Sequence, residues 1–69
     1  MINNNIRRLR FDHHEMTQQQ LADKVGLTRQ TIAAIESSKY SPSLEAAFQI
    51  ADVFGMQLNE VFVWNEMIH

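Results

Sequence analysis

Cysteine is absent from this 69-residue chain. Its absence excludes disulfides and thiolate metal sites, and makes a reducing cytoplasm the simplest setting. Long apolar runs are also missing. Nothing approaches the roughly 18 residues that a membrane helix requires, and the polar opening MINNNIRRLR lacks the hydrophobic segment of a secretory signal. No nucleophile and base pair, glycine-rich phosphate loop or carboxylate dyad is visible, so the chain is not read as an enzyme. His13 and His14 lie beside Asp12 and Glu15, but adjacent helix positions point apart and only i,i+3 or i,i+4 pairs converge on an ion. They read as a solvated helix end. No metal, cofactor or small-molecule substrate is expected.

Basic charge is scarce too. Six Lys and Arg face eight Asp and Glu, for a net charge of -2 and a pI near 5.8, whereas a nucleic-acid binder usually carries a basic excess. Its distribution says more than its sum. Residues 1–39 hold all six basic residues and four of the acids, a net +2, while residues 40–69 hold only four acids, a net −4. One half is therefore suited to a polyanion and the other is not. At this length the chain is one domain, 1–69, near the lower limit for a self-sufficient core, and a partner subunit would help it.

The two glycines and the single proline fall where the chain must turn. Gly26 separates two short helical stretches, QQQLADKV and RQTIAAIE. Thr17 and Thr28 are placed to cap them, each hydroxyl accepting from an otherwise unpaired first-turn amide. Leu21, Ala22 and Val25 share one face of the first stretch; Ile32 and Ile35 share one face of the second. These stripes can pack across each other, with the small Ala22 at the closest approach. Arg29, Gln30, Ala33 and Ala34 are left facing outward. A guanidinium and an amide are the groups best suited to bidentate contacts with guanine and adenine in a major groove.

Before this motif, Ile6, Leu9 and His13 recur at helical spacing, with Asn4 or Asn5 available as a cap. After it, Pro42 ends a loop and Ser43 caps a fourth helix whose apolar surface is expected from Leu44, Ala47, Phe48, Ile50, Ala51 and Phe54. Gly55 ends that helix. Leu58, Val61 and Phe62 indicate a brief fifth helix, and the tail VFVWNEMIH alternates like a strand, with Trp64 packing on helix 1 or on a second subunit.

Thr17-Gln18, Leu21-Ala22, Val25-Gly26, the run Thr28-Arg29-Gln30-Thr31-Ile32, Ile35-Glu36 and Tyr40-Ser41-Pro42-Ser43-Leu44 stand in the order and at the intervals of a known family. Over nearly its whole length the chain resembles the helix-turn-helix regulators typified by phage repressors and Cro proteins, and within them the compact subgroup typified by the cytolysin-operon repressor. The resemblance implies an all-α, five-helix, lambda-repressor-like DNA-binding domain with its motif at 17–36. It adds a small two-stranded antiparallel sheet between Ile2-Asn3 and the C-terminal tail. It assigns base contacts to the positions of Arg29, Gln30, Thr31, Ala33 and Ala34, with Thr31 on a phosphate or a thymine methyl. Phosphate contacts fall to Gln18, Thr28, Ser37, Ser38, Lys39 and Tyr40, of which Tyr40 either joins the backbone contacts or covers the core edge. Arg10 pairs with Glu36 as a structural ion pair.

Two departures from the family pattern stand out. The segment FDHHEM after Arg10 is one residue longer, and Ser38 replaces a usual glycine. Because one reading helix covers about half an operator, a homodimer is expected, with Leu58, Val61, Phe62 and Trp64 as interface anchors. The function implied is a sequence-specific regulator of transcription acting on double-stranded DNA, a repressor on a palindromic operator. An antitoxin of the same fold, or an interaction module that does not bind DNA, is the alternative.

Overall fold

A computed structural model describes residues 2–65. In chain order it contains β1 (Ile2–Asn4), α1 (Ile6–Asp12), α2 (Gln18–Val25), α3 (Arg29–Glu36), α4 (Leu44–Val53), α5 (Leu58–Val61) and β2 (Phe62–Trp64). The strands pair antiparallel, with Ile2 opposite Trp64, Asn3 opposite Val63 and Asn4 opposite Phe62. The chain is thus all-α apart from one short sheet that ties its two ends together. Among the described residues no helix is long and apolar enough to cross a membrane.

The core is assembled from every helix. Ile6, Leu21, Ile32, Ile50 and Val61 are fully buried, one from each helix in turn, and Ile35 is nearly so. Leu9, Ala22, Val25, Ala51 and Phe54 complete the cluster. Burying a side chain of the Ile or Leu class stabilises by about 1.5–3 kcal/mol. A handful of such residues therefore dominates a chain this small.

Three expectations about packing are corrected. Leu44 and Phe48 do not close the bundle: they are 68% and 55% exposed, and Ala46 joins Ala47, Ile50 and Ala51 on the buried face of α4. The helix turns Leu44 and Phe48 outward and presents Ile50 with three alanines to the interior. Val61, expected at a subunit interface, is fully buried in the core of its own protomer. It cannot present a side chain to a partner. His13 is not a solvated helix end: it is half-buried, its ring 5.1 Å from that of Phe54 in an edge-on arrangement, with Nδ1 2.8 Å from the Leu9 carbonyl.

The extra residue after α1 is absorbed by backbone conformation. His14 and Glu15 both adopt positive φ, 60° and 54°, a region that costs a non-glycine residue roughly 1–2 kcal/mol. The reversal lets Met16 N–H donate to the Arg10 carbonyl at 2.9 Å, and the Met16 carbonyl accepts from Arg10 Nη1 at 2.8 Å. The longer turn closes on the arginine.

Candidate nucleic-acid interface

The local geometry of α2 and α3 follows from their caps. Thr17 Oγ1 accepts from Gln20 N–H at 3.0 Å while Gln20 Oε1 accepts from Thr17 N–H at 2.8 Å, a reciprocal box that fixes where α2 begins. Gly26, at φ 69°, ends it, and its N–H donates to the Ala22 carbonyl. An L side chain is strained in this left-handed conformation, and the turn that aims α3 depends on it. Thr28 Oγ1 then accepts from Thr31 N–H at 3.2 Å to start α3.

On α3 the two faces divide cleanly. Ile32 and Ile35 are in the core, whereas Arg29 and Gln30 are exposed one after the other at its N-terminal end. Ala33 and Ala34 continue that face, half-buried, and leave no long side chain between the helix backbone and an approaching surface. Arg29 has no ion-pair partner among the described residues. Thr31 is half-buried, and its hydroxyl lies 2.9 Å from that of Thr28.

The far end of α3 is held by a polar hub. Arg10 Nε donates to Glu36 Oε2 at 2.6 Å and Nη2 to Oε1 at 3.0 Å, a two-pronged pair whose side chains are only 15% and 9% exposed. With Nη1 on the Met16 carbonyl, this one guanidinium joins α1, the turn after it and α3. Such a pair mainly fixes orientation, because desolvation offsets much of its attraction. Gln18, the expected phosphate ligand, is half-buried and donates through Nε2 to Glu36 Oε1 at 3.2 Å. It is held at the N-terminus of α2, where unpaired amides and the helix dipole favour an anion.

Beyond Glu36 the chain turns through Ser38, whose φ of 62° shows that serine here takes the conformation the family's glycine supplies. Lys39 N–H reaches back to the Ala34 carbonyl at 2.9 Å and Ser37 Oγ donates to the same oxygen at 3.2 Å. Ser37, Lys39 and Tyr40 are all exposed, Tyr40 at 55%, so Tyr40 does not cover the core edge. Among the described residues no three His, Asp or Glu side chains are grouped to hold a metal ion.

Asn4 supplies the side-chain bond expected of a cap, accepting from Ile6 N–H at the start of α1, while the adjacent Asn5 occupies the cap position without a capping bond from its side chain. The second bond of Asn4, to the Ile35 carbonyl at the end of α3, escaped the reading of the sequence. Three consecutive asparagines carry no signal for which of them reaches a distant carbonyl. The expected anchors Leu58, Phe62 and Trp64 belong to a wider apolar surface that takes in Ile2, Phe48 and Met56 as well. Ile2, Phe48, Met56, Leu58, Phe62 and Trp64 line an open groove of about 840 Å3, next to a smaller one of about 250 Å3 that includes Leu44. Trp64 is 68% exposed beside it rather than packed on α1.

Comparison with known proteins agrees with this geometry. YgzD of Bacillus subtilis, described as an uncharacterized HTH-type transcriptional regulator, is 46% identical over 59 residues, spanning 86% of this chain and 83% of that one. A Methanocaldococcus jannaschii protein of the same description is 49% identical over 53 residues, 77% of this chain and 80% of that one. The immunity repressor of Bacillus phage phi105 is 38% identical over 47 residues, 68% of this chain but 33% of the longer repressor. A crystal structure of a Bacteroides fragilis protein proposed to bind DNA superposes with a TM-score of 0.76, covering 90% of this chain and 98% of that one; at 24% identity it speaks for the fold alone. The sequence profile of the helix-turn-helix family matches residues 6–61. The chain belongs to that family, the Cro/C1-type helix-turn-helix transcriptional regulators, which bind DNA and are not enzymes.

Proposed function

We propose that this regulator is a cytoplasmic repressor whose 69 residues form a single reading unit with a dimerising tail, and that it binds a palindromic operator as a homodimer. The observation that carries the reading is the exposed pair Arg29 and Gln30 at the leading end of α3, backed by small alanines and held from behind by Ile32 and Ile35. Arg29 and Gln30 read base edges, with Thr31, Ala33 and Ala34 setting how closely the helix approaches. Gln18, Thr28, Ser37, Ser38, Lys39 and Tyr40 hold the sugar-phosphate backbone and fix register.

The dimer reading is supported by the apolar face around Ile2, Leu44, Phe48, Val63 and Trp64, which are 38–68% exposed. Leu58, Phe62 and Trp64 serve as anchors there. Leu44 and Phe48 take the part first given to Val61. A two-fold pairing through this face sets two α3 helices on successive major grooves, about 34 Å apart. Occupation of a promoter by such a dimer excludes polymerase.

Selection of bound sequences from random duplexes tests the reading. A two-fold symmetric consensus is expected, and Arg29→Ala or Gln30→Ala is expected to lower affinity for it by about 1–3 kcal/mol while relaxing preference at one base pair per half-site. Unchanged affinity in both variants at moderate salt would instead favour an interaction module that does not read DNA.

A further inference from the structure

The side chain of Asn4 makes two bonds for which the DNA-binding reading has so far no use. Asn4 ends β1, opposite Phe62 of β2. Its Nδ2 donates to the Ile35 carbonyl at 2.8 Å, and its Oδ1 accepts from Ile6 N–H at 3.2 Å. One half-buried amide thus belongs to the terminal sheet, starts α1 and grips the end of α3. Both of its atoms are used in the only sense that works, the N–H toward a carbonyl and the oxygen toward an amide.

Each end of this link is tied down. Next to it, Asn5 N–H donates to the Val61 carbonyl at 2.9 Å and Asn5 Nδ2 to the Glu60 carbonyl at 3.1 Å, so the Asn4-Asn5 segment is fastened to the end of α5. At the other end, the Ile35 carbonyl also accepts from Ser38 N–H at 3.0 Å, inside the turn that carries Lys39. Arg10 holds the neighbouring Glu36 side chain from α1. The last turn of α3 is therefore held by Asn4, by Arg10 and, through Glu36, by Gln18, and of these three the Asn4 clamp leads to the sheet. Arg29 lies at the other end of the same helix, so a small tilt at Ile35 moves the reading side chains over a lever of about 10 Å.

We propose that Asn4 is a positioning residue for DNA reading: it transmits the placement of the terminal sheet, and of the partner assembled on it, to α3, and so sets the angle at which Arg29 and Gln30 enter the groove. This rests on the DNA-reading role given to α3 above. Asn4→Asp keeps the size of the side chain and its acceptor for Ile6 but sets oxygen against the oxygen of Ile35; Asn4→Ala removes both bonds.

The experiment uses the full chain, a duplex selected by the wild-type protein from random sequences, and a scrambled duplex of the same composition. Anisotropy titrations at one salt concentration are paired with sedimentation for assembly and thermal melting for fold. In Asn4→Asp the affinity for the selected duplex is expected to fall roughly tenfold, the scale on which residues that touch neither ligand tune the coupling between sites, with the scrambled duplex and self-association changed less than about twofold. Equal losses on both duplexes, or selectivity equal to wild type, overturn the proposal. If the variants melt below the assay temperature, the wild-type chain supplies the answer by NMR. The Asn4 side-chain amide protons are then expected to be protected from exchange and to shift on adding the selected duplex but not the scrambled one; an unshifted amide overturns the proposal. A wild-type chain that selects no duplex at all would instead remove the DNA reading on which it stands.

Discussion

Replacing Arg10 with methionine tests the central mechanical element of the fold. Methionine keeps most of the stem's bulk but removes the guanidinium that donates to both oxygens of Glu36 and to the Met16 carbonyl. Among the described residues the Glu36 carboxylate, 9% exposed, would be left with the 3.2 Å bond from Gln18. Removing one partner of a buried pair costs about 3–5 kcal/mol, because a charge stays behind without compensation. A chain of this length is expected to have about 3–10 kcal/mol of stability in all. With a urea slope of roughly 1 kcal/mol per molar for so small a domain, the midpoint should fall by about 3 M or more. Urea unfolding followed by circular dichroism reads this directly. The double variant Arg10→Met, Glu36→Leu should recover most of the loss, since the orphaned charge is gone. A midpoint shift under about 1 M for Arg10→Met, the scale of a surface pair, would refute the reasoning, as would a double variant no more stable than the single one.

Ser38→Gly should raise the melting temperature by a few degrees, because glycine takes the 62° φ without the roughly 1 kcal/mol strain of serine; a lower melting temperature in calorimetry would contradict this. Thr28→Ala removes the cap of α3 and should cost about 1 kcal/mol in urea unfolding; a variant as stable as wild type would show that the cap is idle. Lys39→Ala should weaken binding to all duplexes alike and flatten the plot of log affinity against log salt by about one unit; a sequence-dependent loss would make Lys39 a base reader. Phe48→Glu changes a 55% exposed side chain, so the fold should survive while sedimentation shows loss of self-association; an unaltered dimer would move the interface elsewhere.

Much of the reading surface was legible before any coordinates. Thr17, Gly26 and Thr28 act over three or four residues of backbone, so their chemistry is local and marks helix ends directly. The division of α3 into Ile32 and Ile35 against Arg29 and Gln30 is a matter of helical period alone. On α4 the same period was ambiguous. Leu44 and Phe48 are i,i+4 neighbours as suitable for a core as any, and only the arrival of α2 and α5 decides that the alanine side faces in. Val61 and Phe62 are consecutive, yet the first is buried and the second lies half-buried beside the groove, because the chain passes from helix to strand between them.

The amino-acid sequence by itself determined the helices, their caps, the turn at Gly26 and the outward pair on α3, since each rests on interactions within one or two turns of chain. The tertiary structure alone decided that Asn4, 31 positions away, would bond to the Ile35 carbonyl, that two left-handed residues would bring the Met16 carbonyl back to Arg10, and that Leu44 and Phe48 of α4 would be left outside. Those outcomes depend on which distant groups meet when the core closes, and the spacing of residues along a chain does not specify that.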